Sequence, residues 1–365
     1  MARLHVASRK GLLTFEEGDG EWRLAQSAFV GEPVSALLAD ERDGTLYAAL
    51  NLGHFGVKLH RSDDDGASWQ ELPTPAYPAQ GDGDDGEAEK APSLELIWTL
   101  AGGGPDRPGT LWAGTIPGGL FHSSDRGESW SLVESLWNAP EREQWFGGGY
   151  DQPGIHSICL DPRDSARMTL AVSCGGIWRS ADAGASWTLV GSGLKADYMP
   201  PDSSDERAVQ DPHRIVLCPS APEVVWCQHH CGIFHSTDGG ESFEKIETAE
   251  PSGFGFAVVV HPEDPQTAWF APAVKDECRV PVDQRFVVSR TTDGGANFEV
   301  FDAGLPPPPA FDLVYRHGME IDRAGERIAM GSTTGNLWVG EEAGTRWQLI
   351  SSNLPPIAQV LWDET

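Results

Sequence analysis

Residues Ser180-Ala181-Asp182-Ala183-Gly184-Ala185-Ser186-Trp187 decide the fold. The octet sets a hydroxyl, a carboxylate and a glycine ahead of a closing aromatic. In a tight hairpin the hydroxyl and carboxylate can accept backbone N–H groups, while glycine supplies the positive φ of the reversal. The aromatic ring is then left to pack between neighbouring sheets. The pattern recurs as Ser62-Asp64-Gly66-Ser68-Trp69, Ser123-Asp125-Gly127-Ser129-Trp130, Ser236-Asp238-Gly240-Ser242-Phe243 and Thr291-Asp293-Gly295-Asn297-Phe298. Weaker copies stand at Glu342-Gly344-Trp347 and at Glu17-Gly18-Asp19-Gly20-Glu21-Trp22. The closing aromatics fall at 22, 69, 130, 187, 243, 298 and 347, at intervals of 47 to 61 residues. A period of that size marks a repeat architecture, in which each unit buries its faces on its neighbours.

Between hairpins every unit reads as four short strands. An apolar inner strand such as 155–160 leads to a second at 168–173, then to a third ending in the hairpin and a fourth opening at the aromatic. Four strands per unit make a propeller blade. The chain is therefore expected to be all-β, one seven-bladed β-propeller domain across 1–365. Blades are placed near 27–73, 93–136, 154–192, 212–248, 254–304 and 311–352. Residues 3–26 supply only the last three strands of a blade, and 356–363 read as its missing inner strand. The two ends are expected to pair and close the ring.

The hairpin motif resembles the Asp-box, or BNR, repeats of sialidases, sortilin-type domains, xyloglucan-active glycosidases and photosystem-II assembly factors. The resemblance covers essentially the whole chain. It implies the fold, and the motif specifies no activity. Sialidases carry an Arg-Ile-Pro signature ahead of their first box and have six blades. Here the nearest match, Arg279-Val280-Pro281, falls in a late loop of a seven-bladed ring.

Composition agrees with many strands and turns: 42 Gly, 27 Pro and 14 Trp in 365 residues. The formal charge of −29 excludes a nucleic-acid partner, which would need a basic patch. Part of the acidity is local, in the run Gly81–Glu89, which reads as a solvated loop. No apolar run is long enough to cross a membrane, and the first ten residues hold no apolar signal core. The expected location is cytoplasmic, with the six cysteines as free thiols. Cys227 and Cys231 flank Gln228-His229-His230, but a single Cys-x-x-x-Cys reads as small core residues rather than a zinc site. Propellers leave few free strand edges, so a monomer or simple homodimer is expected.

Strands alternate in direction, so the loops sort onto two faces. Every long excursion (73–92, 137–154, 194–212 and 271–285) falls on the face opposite the boxes, where binding is expected. Aligning the inner strands puts His156, His213 and His317 in one register, with Glu95 assigned to the same position in its blade. In a closed propeller such positions face one axis. Imidazoles converging with a carboxylate suit Fe, Mn, Zn or Ni, so Glu95, His156, His213 and His317 are the expected metal ligands. His54, His230 and Arg316 are the expected acid–base or catalytic groups. Arg9, Lys10, Gln228, Trp145, Tyr150, Lys275 and Arg279 are expected to bind substrate, taken to be a small anionic molecule. Two alternatives stand beside this metal-enzyme reading. One is a glycoside hydrolase using paired carboxylates, with Glu95 and Asp151 on the right face. The other is a non-catalytic binding or assembly-factor propeller, with Trp145, Phe146, Tyr150 and Tyr198 as its contact patch.

Overall fold

A computed structural model describes residues 2–79 and 91–364; the acidic run 81–89 lies outside them. The described chain forms seven four-stranded antiparallel sheets. We number the blades by their inner strands: Val34–Asp40, Leu96–Gly102, Gly154–Asp161, Pro212–Cys218, Gly255–Val260 and Met319–Ile321 for blades 1 to 6. Blade 7 takes its inner strand, Ile357–Asp363, from the far end of the chain, where it pairs antiparallel with Arg3–Ser8. Helix is confined among the described residues to Glu134–Trp137 and four short 3₁₀ turns, none long and apolar enough to cross a membrane.

Burial explains why these runs become strands. Gly255–Val260 and Ala268–Pro272 are buried along their whole length, because inner and second strands are covered on both faces by adjacent blades. The outer strand Glu21–Ala28 alternates with solvent instead. Each box does what its chemistry requires. In all five full copies the leading hydroxyl accepts the N–H of the glycine four residues on, at 2.8 to 3.0 Å. The Asp carboxylate accepts the backbone N–H and the side chain of the residue four further along, as Asp182 does from Ser186 at 2.8 and 2.6 Å. Gly184 holds φ of 83°, in the left-handed region that glycine tolerates. The closing Trp187 then packs beside Trp112 of the preceding blade.

One irregularity near the start of the inner strands positions the functional end. Ser35, Trp98, His156 and His213 are each an extra residue facing no partner on the second strand of blades 1 to 4. Blade 5 has a wider irregularity across Phe256 and Ala257. Such bulges bend the strand and re-aim the extra side chain. The register also corrects one sequence assignment. Trp98, not Glu95, occupies the blade-2 position equivalent to His156; Glu95 precedes the strand and is exposed.

Deeper in the channel the Glu320 carboxylate accepts the Trp362 N–H at 2.6 Å. Burial pushes its pKa up to about 8, against the pull of that bond and of Arg214. The unfolded carboxyl titrates near 4.5, so folding favours the protonated form between the two values. Stability is therefore fully present below about pH 4.5 and is lost progressively as the pH rises through about 8. Glu320→Gln removes this dependence. Chemical denaturation at pH 4.5 to 9 should show wild type and variant matched at the acid end, with the wild type falling behind as pH rises. Parallel profiles would show that Glu320 ionises freely.

Candidate functional site

The loop-rich mouth of the channel gathers its polar groups around Asp211. This residue lies immediately before the blade-4 inner strand, and its side chain is 7% exposed. Asp211 Oδ1 accepts from Ser173 Oγ and from the Cys174 N–H, both at 3.2 Å. Oδ2 stands 3.4 Å from His213 Nε2 and 3.4 Å from His230 Nδ1. Burial alone would raise the Asp211 pKa, but the two imidazoles and the Arg316 charge outweigh it and hold the carboxyl well below its usual range. Burial lowers the His213 pKa despite Asp211. At His230, half-buried at the rim, Asp211 outweighs burial and the pKa rises. Asp211 therefore carries a fixed negative charge, with His230 the more basic of its two neighbours.

Aromatic rings wall this cluster. His213 stacks on Phe256 at 4.3 Å between ring centres, and Tyr198 meets His230 edge-on at 4.9 Å. The Arg316 guanidinium lies 4.6 Å from the Trp98 ring centre and 5.6 Å from that of Phe256, and its Nε has no hydrogen-bond partner among the described residues. Cation–π contacts of this kind hold a guanidinium in place without neutralising it. Arg279 also lies over this ring, 5.2 Å from the Phe256 centre, and donates to the Asp276 carboxylate.

The expected metal quartet does not assemble. His156 Nε2 is 2.8 Å from the Pro212 carbonyl and Nδ1 is 3.0 Å from Ser157 Oγ. A carbonyl only accepts, so Nε2 carries the proton and Nδ1 takes the hydroxyl; no lone pair is left for an ion. His317 Nε2 likewise donates across the channel to the His156 carbonyl at 2.8 Å. Glu95 accepts from Gln152 Nε2 at 2.8 Å. Among the described residues the trio with ligand atoms within 4.8 Å of one another is Asp211, His213 and His230.

The other expected site residues divide. Arg316, His230, Tyr150 and Arg279 belong to the mouth, with Tyr150 edge-on to Trp98 at 5.1 Å. Gln228 is buried and spends its amide on the Gly253 carbonyl at 2.9 Å. Trp145 is buried against Trp178. His54 is exposed in the turn Gly53–Phe55, its ring against Phe55, while Arg9 and Lys10 are exposed in the blade-7 hairpin. Lys275 is exposed and faces Glu277 at 3.4 Å. Asp151 is exposed beside Gln152. Sequence reasoning passed over Asp211 and Trp98. The signal for Asp211 was a carboxylate two positions ahead of an aligned histidine.

No protein-family model matches the chain. A xyloglucanase of Hypocrea jecorina is 28% identical over 165 residues, covering 42% of this chain and 19% of that protein. Xyloglucanase Xgh74A of Acetivibrio thermocellus is 24% identical over 284 residues, covering 68% of this chain and 31% of that protein. The chain thus spans less than a third of the length of these curated relatives. Among solved structures, the GH74 xyloglucanase of Xanthomonas campestris superposes with a TM-score of 0.66 at 16% identity, over 96% of this chain and 52% of that one. YCF48 bound to D1 peptide gives 0.55 at 13% identity, over 91% and 88%. At these identities the structural likeness shows the propeller fold alone.

The geometry at His156 generates a test. His156→Ala leaves the buried Pro212 carbonyl without its donor, which should cost about 1–3 kcal/mol of stability. Urea unfolding measures this loss, and an unchanged midpoint would show that the bond does not hold blade 3 to blade 4.

Proposed function

We propose that the loop-rich mouth is the active site of a glycoside hydrolase. The observation that carries this reading is the corner built by Glu95, Gln152 and Trp98. The Gln152 amide bonds Glu95 Oε1 at 2.8 Å, tying that carboxylate to the loop that bears Tyr150 and Asp151. Tyr150 is 47% exposed and stands on Trp98, so the corner offers an aromatic face beside two solvent-reachable carboxylates. Glycosidic hydrolysis uses such a pair, one protonating the leaving oxygen and the other activating water or attacking the sugar. The rings supply a platform for a pyranose face. Sequence similarity to xyloglucanases over 68% of the chain supports the same reading and makes a β-glucan backbone the first substrate to try. Asp211 is unsuited to the acid role, since it is held ionised below its usual range.

A second reading has its own observation. Of the exposed large hydrophobics, Val30, Phe55, Tyr150, Tyr198, Val274 and Phe311 all lie in loops of the mouth face. An apolar rim of that kind suits docking of a peptide partner, and the fold likeness to YCF48 bound to D1 peptide is compatible with it.

Release of reducing ends from xyloglucan, other β-glucans and acidic glycans distinguishes the two. The hydrolase reading expects turnover on at least one glycan. Glu95→Gln and Asp151→Asn should each lower kcat by about 10²- to 10⁴-fold, and Tyr150→Ala should act mainly on KM. No turnover on any glycan, or turnover indifferent to both carboxylates, would overturn it.

A further inference from the structure

We infer that Asp211, His213 and His230 form a binding site for one divalent cation of the zinc class at the axial mouth. The inference goes beyond the hydrolase reading and stands without it, because the trio shares no residue with the Glu95–Asp151 corner.

The spacing carries the argument. His213 Nε2 and His230 Nδ1 each lie 3.4 Å from one atom, Asp211 Oδ2. A charge-assisted bond between imidazole and carboxylate draws in to about 2.7–2.9 Å. Two ligands sharing a tetrahedral ion behave differently: donor atoms about 2.1 Å from zinc stand about 3.4 Å apart along the tetrahedron edge. Both carboxylate–imidazole pairs thus have the separation of co-ligands rather than of hydrogen-bond partners, and the two imidazole nitrogens lie within 4.8 Å of each other.

The surrounding bonds orient two of the three atoms. His213 Nδ1 lies 2.6 Å from the Gly255 carbonyl, which can only accept, so the proton sits on Nδ1. Nε2 then faces a carboxylate oxygen in a site where Asp211 and His213 are 5% and 2% exposed, so the two atoms share one cation between them, a proton or a metal ion. Two acceptors opposed in a buried site are stabilised by a cation between them. Metal-binding imidazoles commonly donate their second nitrogen to a carbonyl in this way. Asp211 Oδ1 is occupied by Ser173 and Cys174, which leaves Oδ2 for the ion. The His230 N–H bonds the Asp211 carbonyl at 3.0 Å, so the backbone clamps two of the ligands together. Two imidazoles and a carboxylate are a recurrent donor set for Zn and for Fe(II). His230 is the rim-exposed member, so the remaining coordination positions open towards the mouth, where Arg316 adds positive charge for an anionic oxygen ligand.

Titration calorimetry with ZnCl₂ on the untagged, chelator-stripped full chain tests the site, in a Cys278→Ser background because Cys278 is the exposed free thiol. One equivalent should bind with micromolar or tighter affinity. His230→Ala, at a part-exposed ring, should weaken binding at least tenfold with the metal-free protein still melting cooperatively; Asp211→Asn should weaken binding likewise, and His230→Gln is the fallback if it fails to fold. Glu95→Gln should bind zinc as the parent does. Absence of stoichiometric binding, or binding unaffected by His230→Ala, would overturn the inference. Glycan turnover, read separately, fails or survives independently of this result.

Discussion

In a ring of seven sheets each inner strand must hold the next, and at three seams among the described residues a bulge residue near the strand start does so. A bulge leaves one carbonyl out of the ladder, and a buried carbonyl without a donor costs about 1–3 kcal/mol. The preceding blade supplies the donor. Ser35 Oγ reaches the Ile97 carbonyl at 3.0 Å, His156 Nε2 reaches Pro212, and His213 Nδ1 reaches Gly255, each time the residue just before the next blade's bulge. The final seam uses a different device: the Gln359 amide bonds both the N–H and the carbonyl of Leu37, at 2.8 and 3.1 Å.

The same constraint divides the histidines by role. His156 spends its ring on the seam and His317 spends one nitrogen across the channel, so neither offers the geometry of a shared ion. His213 also spends Nδ1 on the seam, but its other nitrogen faces Asp211 and the open mouth. One blade position thus serves as fastener in blade 3 and as both fastener and site residue in blade 4. What separates them is the neighbour: Ser157 takes up the second nitrogen of His156, whereas Arg214 follows His213 and turns its guanidinium to the Arg316 carbonyl.

The architecture was legible because the box is a local device, with hydroxyl, carboxylate, glycine and aromatic all within eight residues. Its hydrogen bonds are satisfied within the hairpin, so the motif announces itself without knowledge of the rest of the chain. Closure through 357–363 was legible for a similar reason, since the first unit lacked a strand and the last stretch had one to spare. The site was only half legible. Aligning His156, His213 and His317 identified the right end of the strands. Alignment could not show which imidazole nitrogens face carbonyls, as that depends on residues 56 or 161 positions away. Glu95 was misplaced by three residues because blade 2 carries Trp98, an apolar ring, where blades 3 and 4 carry histidine, so no polar marker set its register. Asp211 was overlooked because it lies outside the strand, where periodicity carries no information.

The most direct test of the account is a crystal structure of the full chain grown with zinc, with an anomalous difference map recorded at the zinc edge. The account requires one peak at the mouth, about 2.0–2.2 Å from Asp211 Oδ2, His213 Nε2 and His230 Nδ1, with His156 and His317 still bonded to their carbonyls. A peak at His156 and His317, or no peak with His213 Nε2 drawn in to hydrogen-bond the Asp211 carboxylate, would contradict it.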